Sequence, residues 1–350
     1  MLRGTLIELE SEPFHSFNWR ALMRRITSVV VFLVTIAACT ALGGSVQERK
    51  SFWAFTGPWD PLSDASLRAN ASRLDVAVTG WIALDSLTGE PLLPSAYADT
   101  MRLAAGTLRR FALVTSWHGQ GFHATSIRAL GSDPVRRARV AGRIARHAQS
   151  MRYTGLVLDF ETLKAGDVSA QLGVVRAIAD SAKAHGVTTV AVAVPAEPDE
   201  AYPTRELTEV ADFVLVMLYD QHWPGSEAGP ISAPDWMTRN LARVVGEVGA
   251  SRVIAGLPLY GYHWVKGKPG VGVSYATATR TAQRDGMTLS RDSASRTLRG
   301  ATRNGNSAIW LTDAALLEEL MQDAEQLGVT RFAFWRLGQE DPAVWSKVTH

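Results

Sequence analysis

Tyr153-Thr154-Gly155-Leu156-Val157-Leu158-Asp159-Phe160-Glu161 is apolar from Gly155 to Leu158 and then presents two carboxylates. A continuous apolar run, rather than an alternating one, marks a strand covered on both faces, as in parallel sheets flanked by helices. Successive strand side chains point to opposite faces. Gly155, Val157, Asp159 and Glu161 therefore share one face, and Leu156, Leu158 and Phe160 the other. Asp159 and Glu161 leave the strand on the same side, about 6.6 Å apart.

Seven more runs of this kind flank it, at Ser51–Phe55 (which holds Trp53) and at 74–78, 111–115, 188–194, 213–217, 253–257 and 332–335. Between them lie helical patterns. Asp133-Pro134 opens one, with Asp as N-cap and Pro at the first helical position, and it runs to about residue 151. Others cover 167–185, closed by Gly186, Pro234–Val248, and 313–327, closed by Gly328. Eight β/α units predict an α/β fold, a (β/α)8 TIM barrel. The segment between the seventh and eighth runs is too long for a loop and one helix. It carries a hairpin pattern, 296–302 and 307–311 about Asn304-Gly305. Residues from about 265 to 312 are therefore expected to form a small α+β insertion.

The 350 residues are 46% hydrophobic and 20% charged, which excludes a disordered chain. A formal net charge of +2 carries no basic stripe of the kind a nucleic-acid binder needs. The single cysteine excludes an intrachain disulfide and a thiolate metal cluster. His118 and His123 lie five apart with no third ligand in view, so neither a metal site nor a cofactor is expected. Core and edge packing account for most of the eleven tryptophans, but so many suggest a groove for flat apolar faces such as sugar rings.

The N-terminus reads as an export signal. Met23-Arg24-Arg25 precedes an apolar run, 26–36, and then Ala37-Ala38-Cys39. The run is short for a membrane span. Ile36-Ala37-Ala38-Cys39 resembles a bacterial lipobox, which would make Cys39 a lipidated N-terminus; an uncleaved anchor over 26–42 is the alternative. The expected organisation is a signal over 1–38, a linker over 39–50 and a barrel over 51–350. The expected location is the periplasm or cell envelope, as a monomer touching the membrane only through that N-terminal lipid or anchor.

In a barrel, chemistry gathers at the C-terminal ends of the strands. Like charges as close as Asp159 and Glu161 push one pKa up, which makes a general acid available near neutral pH. The sixth strand ends Met217-Leu218-Tyr219-Asp220, so Met217 and Tyr219 point inward and Asp220 adds a third carboxylate. The eighth ends in Trp335, a candidate floor for the site. Ordinary glycosidases place their two carboxyls on opposite sides of the scissile bond. Asp159 and Glu161, on one strand, do not suit that geometry. In a glycosidase of this design the nucleophile has to come from the substrate.

Gly155-Leu-Val-Leu-Asp-Phe-Glu161 resembles the fourth-strand signature, Asp-Gly-x-x-x-Asp-x-Glu, of glycoside hydrolase family eighteen, the chitinase-like enzymes. Met217-x-Tyr219-Asp220, Gly256-Leu-Pro-Leu-Tyr-Gly-Tyr262 and Trp335-Arg-Leu-Gly-Gln-Glu-Asp-Pro342 resemble its sixth-, seventh- and eighth-strand motifs. The Phe-Glu ending and the last motif are closer to the branch of spore-cortex and cell-wall lytic enzymes and of domains fused to polysaccharide deacetylases. The resemblance implies an exported enzyme that cleaves β-1,4 bonds next to N-acetylglucosamine, in chitin-like or peptidoglycan glycans. Glu161 would be general acid, the substrate's 2-acetamido carbonyl the nucleophile, Asp159 its orienting carboxylate and Tyr219 a hydrogen-bond donor to it. Trp335, Met217, Asp220, Tyr262 and Trp53 would bind sugar. Two positions depart from the signature: Thr154 replaces its first Asp, and Val157 its middle, often acidic, residue. A catalytically weak or inactive carbohydrate-binding barrel is the competing reading. His263, after the seventh motif, either lines the site or belongs to a loop.

Overall fold

The computed structural model describes residues 49–93 and 104–350. The expected signal and the lipidation residue Cys39 lie outside them. Among the described residues no helix is long and apolar enough to cross a membrane. Eight parallel strands form the fold: β1 (Ser51–Phe55), β2 (Val76–Leu84), β3 (Arg109–Thr115), β4 (Gly155–Asp159), β5 (Thr189–Pro195), β6 (Phe213–Met217), β7 (Val253–Pro258) and β8 (Arg331–Trp335). Consecutive strands pair in parallel throughout, β7 with β8 included although the insertion lies between them in the chain. β1 pairs with both β2 and β8, so the sheet closes into the predicted TIM barrel.

All eight apolar runs are strands of the barrel. β2 extends six residues past the predicted end at Val78, through a bulge at Thr79-Gly80. The register with β3 slips between Val78 and Gly80, and a Cβ on Gly80 would meet Ala112 at 2.6 Å. The predicted helices form as Pro134–Ser150, Val168–Ala184, Pro234–Val248 and Ala314–Gln326. Asp133 and Asp313 cap the first and last, accepting from the N–H groups of Arg136 and Leu316.

The strands separate two cores. Outward residues such as Phe52, Leu156, Leu158 and Phe332 pack against the helices. Inward residues Trp53, Phe111, Leu113, Val157, Leu215 and Ile254 fill the barrel. Trp53 lies near the N-terminal end of β1, 3% exposed. Its ring stands edge-on to Phe111 at 4.9 Å and to Phe213 at 6.3 Å. Gly155 makes room for this aromatic layer: a Cβ there would stand 2.4 Å from the Phe111 ring.

The insertion begins earlier than expected, at Gly261 rather than near 265. Pro258 ends β7, and the Leu259 N–H donates to the Trp335 carbonyl at 2.7 Å. The chain then turns into Gly261–Val265, which pairs antiparallel with Ser307–Leu311. Apolar composition runs unbroken across this turn, so the sequence pattern cannot mark it. The expected hairpin is present as Leu298–Ala301 and Ser307–Leu311, with Gly305 at φ 69° in its turn. A helix, Tyr275–Arg284, closes a separate small core around Val273, Ala278, Ala282 and Ile309.

Candidate active site

Strand register places the first carboxylate. In the parallel β3–β4 pairing Thr115 stands beside Asp159, and its hydroxyl donates to Asp159 Oδ2 at 3.0 Å. The same Oγ1 accepts the Trp117 N–H at 3.0 Å, which leaves its proton directed at the carboxylate. Val157, two residues before Asp159 on the same face, packs against the barrel interior and offers no polar contact. The turn after β4 positions Glu161: its N–H donates to Ser116 Oγ at 3.1 Å, and the Tyr202 hydroxyl donates to the Phe160 carbonyl at 3.0 Å. Thr162 follows in the left-handed region at φ 59°.

Asp159 is 8% exposed, and burial pushes its pKa up; the bonds from Thr115 and Glu161 work against that rise. Burial pushes Glu161 further up, helped by the charge of Asp159, by the carboxyl-to-carboxyl hydrogen bond and by Asp220. Both shifts are upward and the larger is on Glu161, so Glu161 is the group of the pair that keeps its proton to higher pH.

Asp220 follows β6 at φ 59°, a conformation short polar side chains tolerate. Although the residue opens to the cavity mouth, phenols crowd its carboxyl. Oδ1 accepts the Tyr260 hydroxyl and the Tyr262 hydroxyl, the latter at 2.8 Å. Desolvation raises its pKa and the two phenol bonds oppose the rise. Burial and the three surrounding carboxylates hold the Tyr219 phenol neutral.

The eighth-strand motif divides between site and scaffold. Trp335 faces the cavity, and the Trp335–Arg336 peptide is cis. Arg336, next in the chain, pairs with Asp60 at 2.6 Å and lies over the Trp59 ring. Glu340 accepts from the Ser66 hydroxyl, from the Trp345 indole at 3.3 Å and from the Gly338 N–H at 2.6 Å. Asp341 accepts from the N–H groups of Ala314 and Ala343, each at 3.0 Å. Arg336 and Glu340 of this polar run therefore fasten the chain's last turn to the helix that follows β1, Pro61–Asn70.

These groups surround a cavity of about 450 Å³ at the C-terminal mouth of the barrel. Asp159, Glu161, Tyr219, Asp220, Met217 and Trp335 all line it, as expected. Two expected residues do not. Trp53 belongs to the aromatic layer deeper in the barrel; strand alternation puts Phe55, two residues on, into the cavity, edge-on to Trp335 at 5.3 Å. Tyr262 lies in the insertion's first strand, and its role is to hold Asp220. His263 is a residue of the insertion, 2.6 Å from Ser307 Oγ. The sequence reading missed Trp59, Trp81 and Trp117, which complete the wall. Trp59, 59% exposed, stands edge-on to Trp81 at 4.9 Å. Their only signal was the abundance of tryptophan: Trp59 and Trp117 lie beyond the apolar runs, and Trp81 lies in the part of β2 after Val78, past the end of the run that marked the strand. Among the described residues no group of three His, Cys, Asp or Glu is placed to hold a metal ion.

The profile of "Glycosyl hydrolases family 18" matches residues 63–340. The cortical fragment-lytic enzyme of Bacillus subtilis (strain 168) is 23% identical over 248 residues, 67% of this chain and 58% of that protein. This chain spans about half the length of the curated relatives it matches. A chitinase from Chromobacterium violaceum ATCC 12472 superposes with a TM-score of 0.77 at 21% identity, over 85% of this chain and 98% of that one. A chitinase from Cycas revoluta, solved in complex with (GlcNAc)4, gives 0.71 at 17% identity over 85% and 98%. With the barrel, the four motifs and the paired carboxyls in place, the profile match over most of the sequence shows that this chain belongs to glycosyl hydrolases family 18.

Proposed function

We propose that this chain is an exported, retaining glycosidase that cleaves β-1,4 bonds next to N-acetylglucosamine, with the substrate's own acetamido group as nucleophile. The observation that carries the reading is that Asp159 and Glu161 leave one strand on the same side and line one cavity without a cation. Glycosidases with two conventional carboxyl roles place the two groups on opposite sides of the scissile bond. Two carboxyls on one face of one strand do not flank a sugar in that way, so neither conventional arrangement suits them.

In the proposed reaction Glu161 gives its proton to the glycosidic oxygen as that bond breaks. The acetamido carbonyl oxygen bonds to the anomeric carbon, forming an oxazolinium ion. Asp159 faces the acetamido N–H and its growing positive charge. Tyr219 donates to the same group. Glu161, now a carboxylate, takes a proton from water as water opens the ring, which restores the starting state. Trp335 stacks beneath the sugar, and Trp59, Trp81 and Trp117 extend the platform. Peptidoglycan is the substrate we favour over chitin, from the likeness to a cortical fragment-lytic enzyme and the expected envelope location.

The test is product analysis by mass spectrometry on N-acetylglucosamine oligomers and purified peptidoglycan, beside Glu161→Gln. Cleavage lost in the variant supports the reading and selects the glycan. Retained binding with no cleavage by either protein overturns it in favour of a lectin-like barrel, with Val157 as the cause to repair.

A further inference from the structure

At the N-terminal rim of the barrel six of the eight strands begin at a cation or within three residues of one: Lys50 before β1, Arg73 before β2, Arg109 opening β3, Arg152 before β4, Arg252 before β7 and Arg331 opening β8; Lys183 adds a charge from the last turn of the helix that precedes β5. Arg73, Arg109, Arg152 and Lys183 are exposed, and no ion pair among the described residues holds them. Arg252 and Arg331 point hydrogen bonds at backbone carbonyls, of Ala211 at 3.1 Å and Ser251 at 3.2 Å. The acids of this rim are mostly engaged. Asp75 takes Arg49, Glu325 takes Lys50, and Asp212 accepts the Val190 N–H; Asp180 and Glu209 sit at one edge beside Arg252. The rim therefore carries a surplus of positive charge.

Inside this ring a second cavity, of about 340 Å³, opens at the foot of the barrel. Arg49, Lys50, Arg109 and Arg331 flank it together with one carboxylate, Asp75; Arg49 is paired with Asp75 and Lys50 with Glu325, Thr189 adds a hydroxyl, and Trp53 and Phe213 form the floor. Cations and a hydroxyl over an aromatic floor suit a phosphodiester headgroup with its glycerol.

We propose that the N-terminal face of the barrel docks on an anionic phospholipid surface, with a headgroup phosphate entering this cavity. Two observations select lipid over other polyanions. The described chain enters at this face, at Arg49, and the apolar segment of the sequence ends seven residues earlier, at Leu42. Seven residues span at most about 25 Å. A segment resting in a membrane would hold this face within reach of it. The active-site cavity opens at the opposite end, so a docked barrel presents its mouth away from the bilayer, toward a glycan layer. Only the tether geometry rests on the export reading; the charge ring and cavity do not.

The barrel alone, residues 49–350, suffices for the test. Its cores are internal, and the C. violaceum chitinase, 98% of which is matched, is a barrel of this kind standing by itself. Sedimentation with vesicles of phosphatidylcholine, with and without phosphatidylglycerol, should show binding to the anionic vesicles only, weakening as salt rises. Arg73→Ala, Arg109→Ala, Arg152→Ala and Lys183→Ala should each weaken it about fivefold or less, and together by more than tenfold. Hydrolysis of soluble oligomers by the quadruple variant should stay unchanged, which certifies its fold. Inorganic phosphate should compete only weakly. Equal binding to neutral vesicles, no binding to anionic ones at low salt, or full binding by the quadruple variant overturns the proposal. Binding to heparin without binding to vesicles also overturns it and assigns the face to a polymer.

Discussion

At the C-terminal end of the barrel Asp159, Glu161 and Asp220 face one cavity whose lining holds no cation. At the N-terminal end of the same strands Trp53 and Phe111 fill the interior and arginines ring the rim. The two ends differ in what burial does to them. Burying the aromatic layer removes apolar surface from water and stabilises the fold. Burying three carboxyls without cations raises their pKa values and opposes folding, and the fold tolerates it because the lower layers are well packed. A group with a raised carboxyl pKa favours the folded state below its unfolded pKa. That contribution is lost as pH rises through the folded one, so the active end weakens the protein on the alkaline side.

The contrast can be broken by substitution. Glu161→Gln should cut hydrolysis by a factor on the order of 10³ or more while oligosaccharide binding persists, measured by turnover and calorimetry. The same change should raise the melting temperature at neutral and alkaline pH by about 2 °C or more, with the gain shrinking toward pH 4. A gain that is independent of pH would mean that burial of the ionisable carboxyl is not the cause. Trp53→Ala should do the reverse. It should cost about 3–5 kcal/mol of stability by denaturant unfolding, with kcat and KM of the folded fraction within a factor of two or so. If KM rises strongly instead, the bottom layer is not separate from the site.

Smaller changes sharpen the comparison. Thr115→Val removes the one neutral hydroxyl that supports Asp159 and should lower kcat by about 10–100-fold, since a hydrogen bond to a charged group is lost. Because that bond lowers the Asp159 pKa, its loss should also move the acid limb of the pH–rate profile upward. The alkaline limb should fall well above the ordinary glutamate range, where Glu161 finally loses its proton. An activity that declines from pH 5 upward would exclude Glu161 as the acid.

Much of this was legible in the residues. β4 announced itself by an unbroken apolar run, because a strand covered on both faces has no polar position until it leaves the barrel. Asp159 and Glu161 were readable as a pair, because alternation along a strand is a local rule. The helix of 134–150 was readable from its Asp cap and that of 314–326 from its apolar pattern and the closing Gly328. Trp53 was misplaced because the same alternation says inward without saying how deep: Trp53 and Phe55 both point to the axis, and only the stagger of the closed sheet puts one in the floor and the other in the cavity. Tyr262 was misplaced because the turn at Leu259-Tyr260 interrupts no pattern.

By itself, then, the sequence determined the period, order and number of the strands and the identity of the paired carboxyls. These depend on residues near one another in the chain. The tertiary structure alone decided the partners. Thr115 reaches Asp159 from 44 residues away, Tyr260 and Tyr262 converge on Asp220 from about 40, and Arg336 crosses to Asp60. It also decided that the cations preceding separate strands gather at one rim. Such contacts are set by closure of the barrel, which brings strand ends together irrespective of their distance along the chain. A local pattern carries no record of that closure.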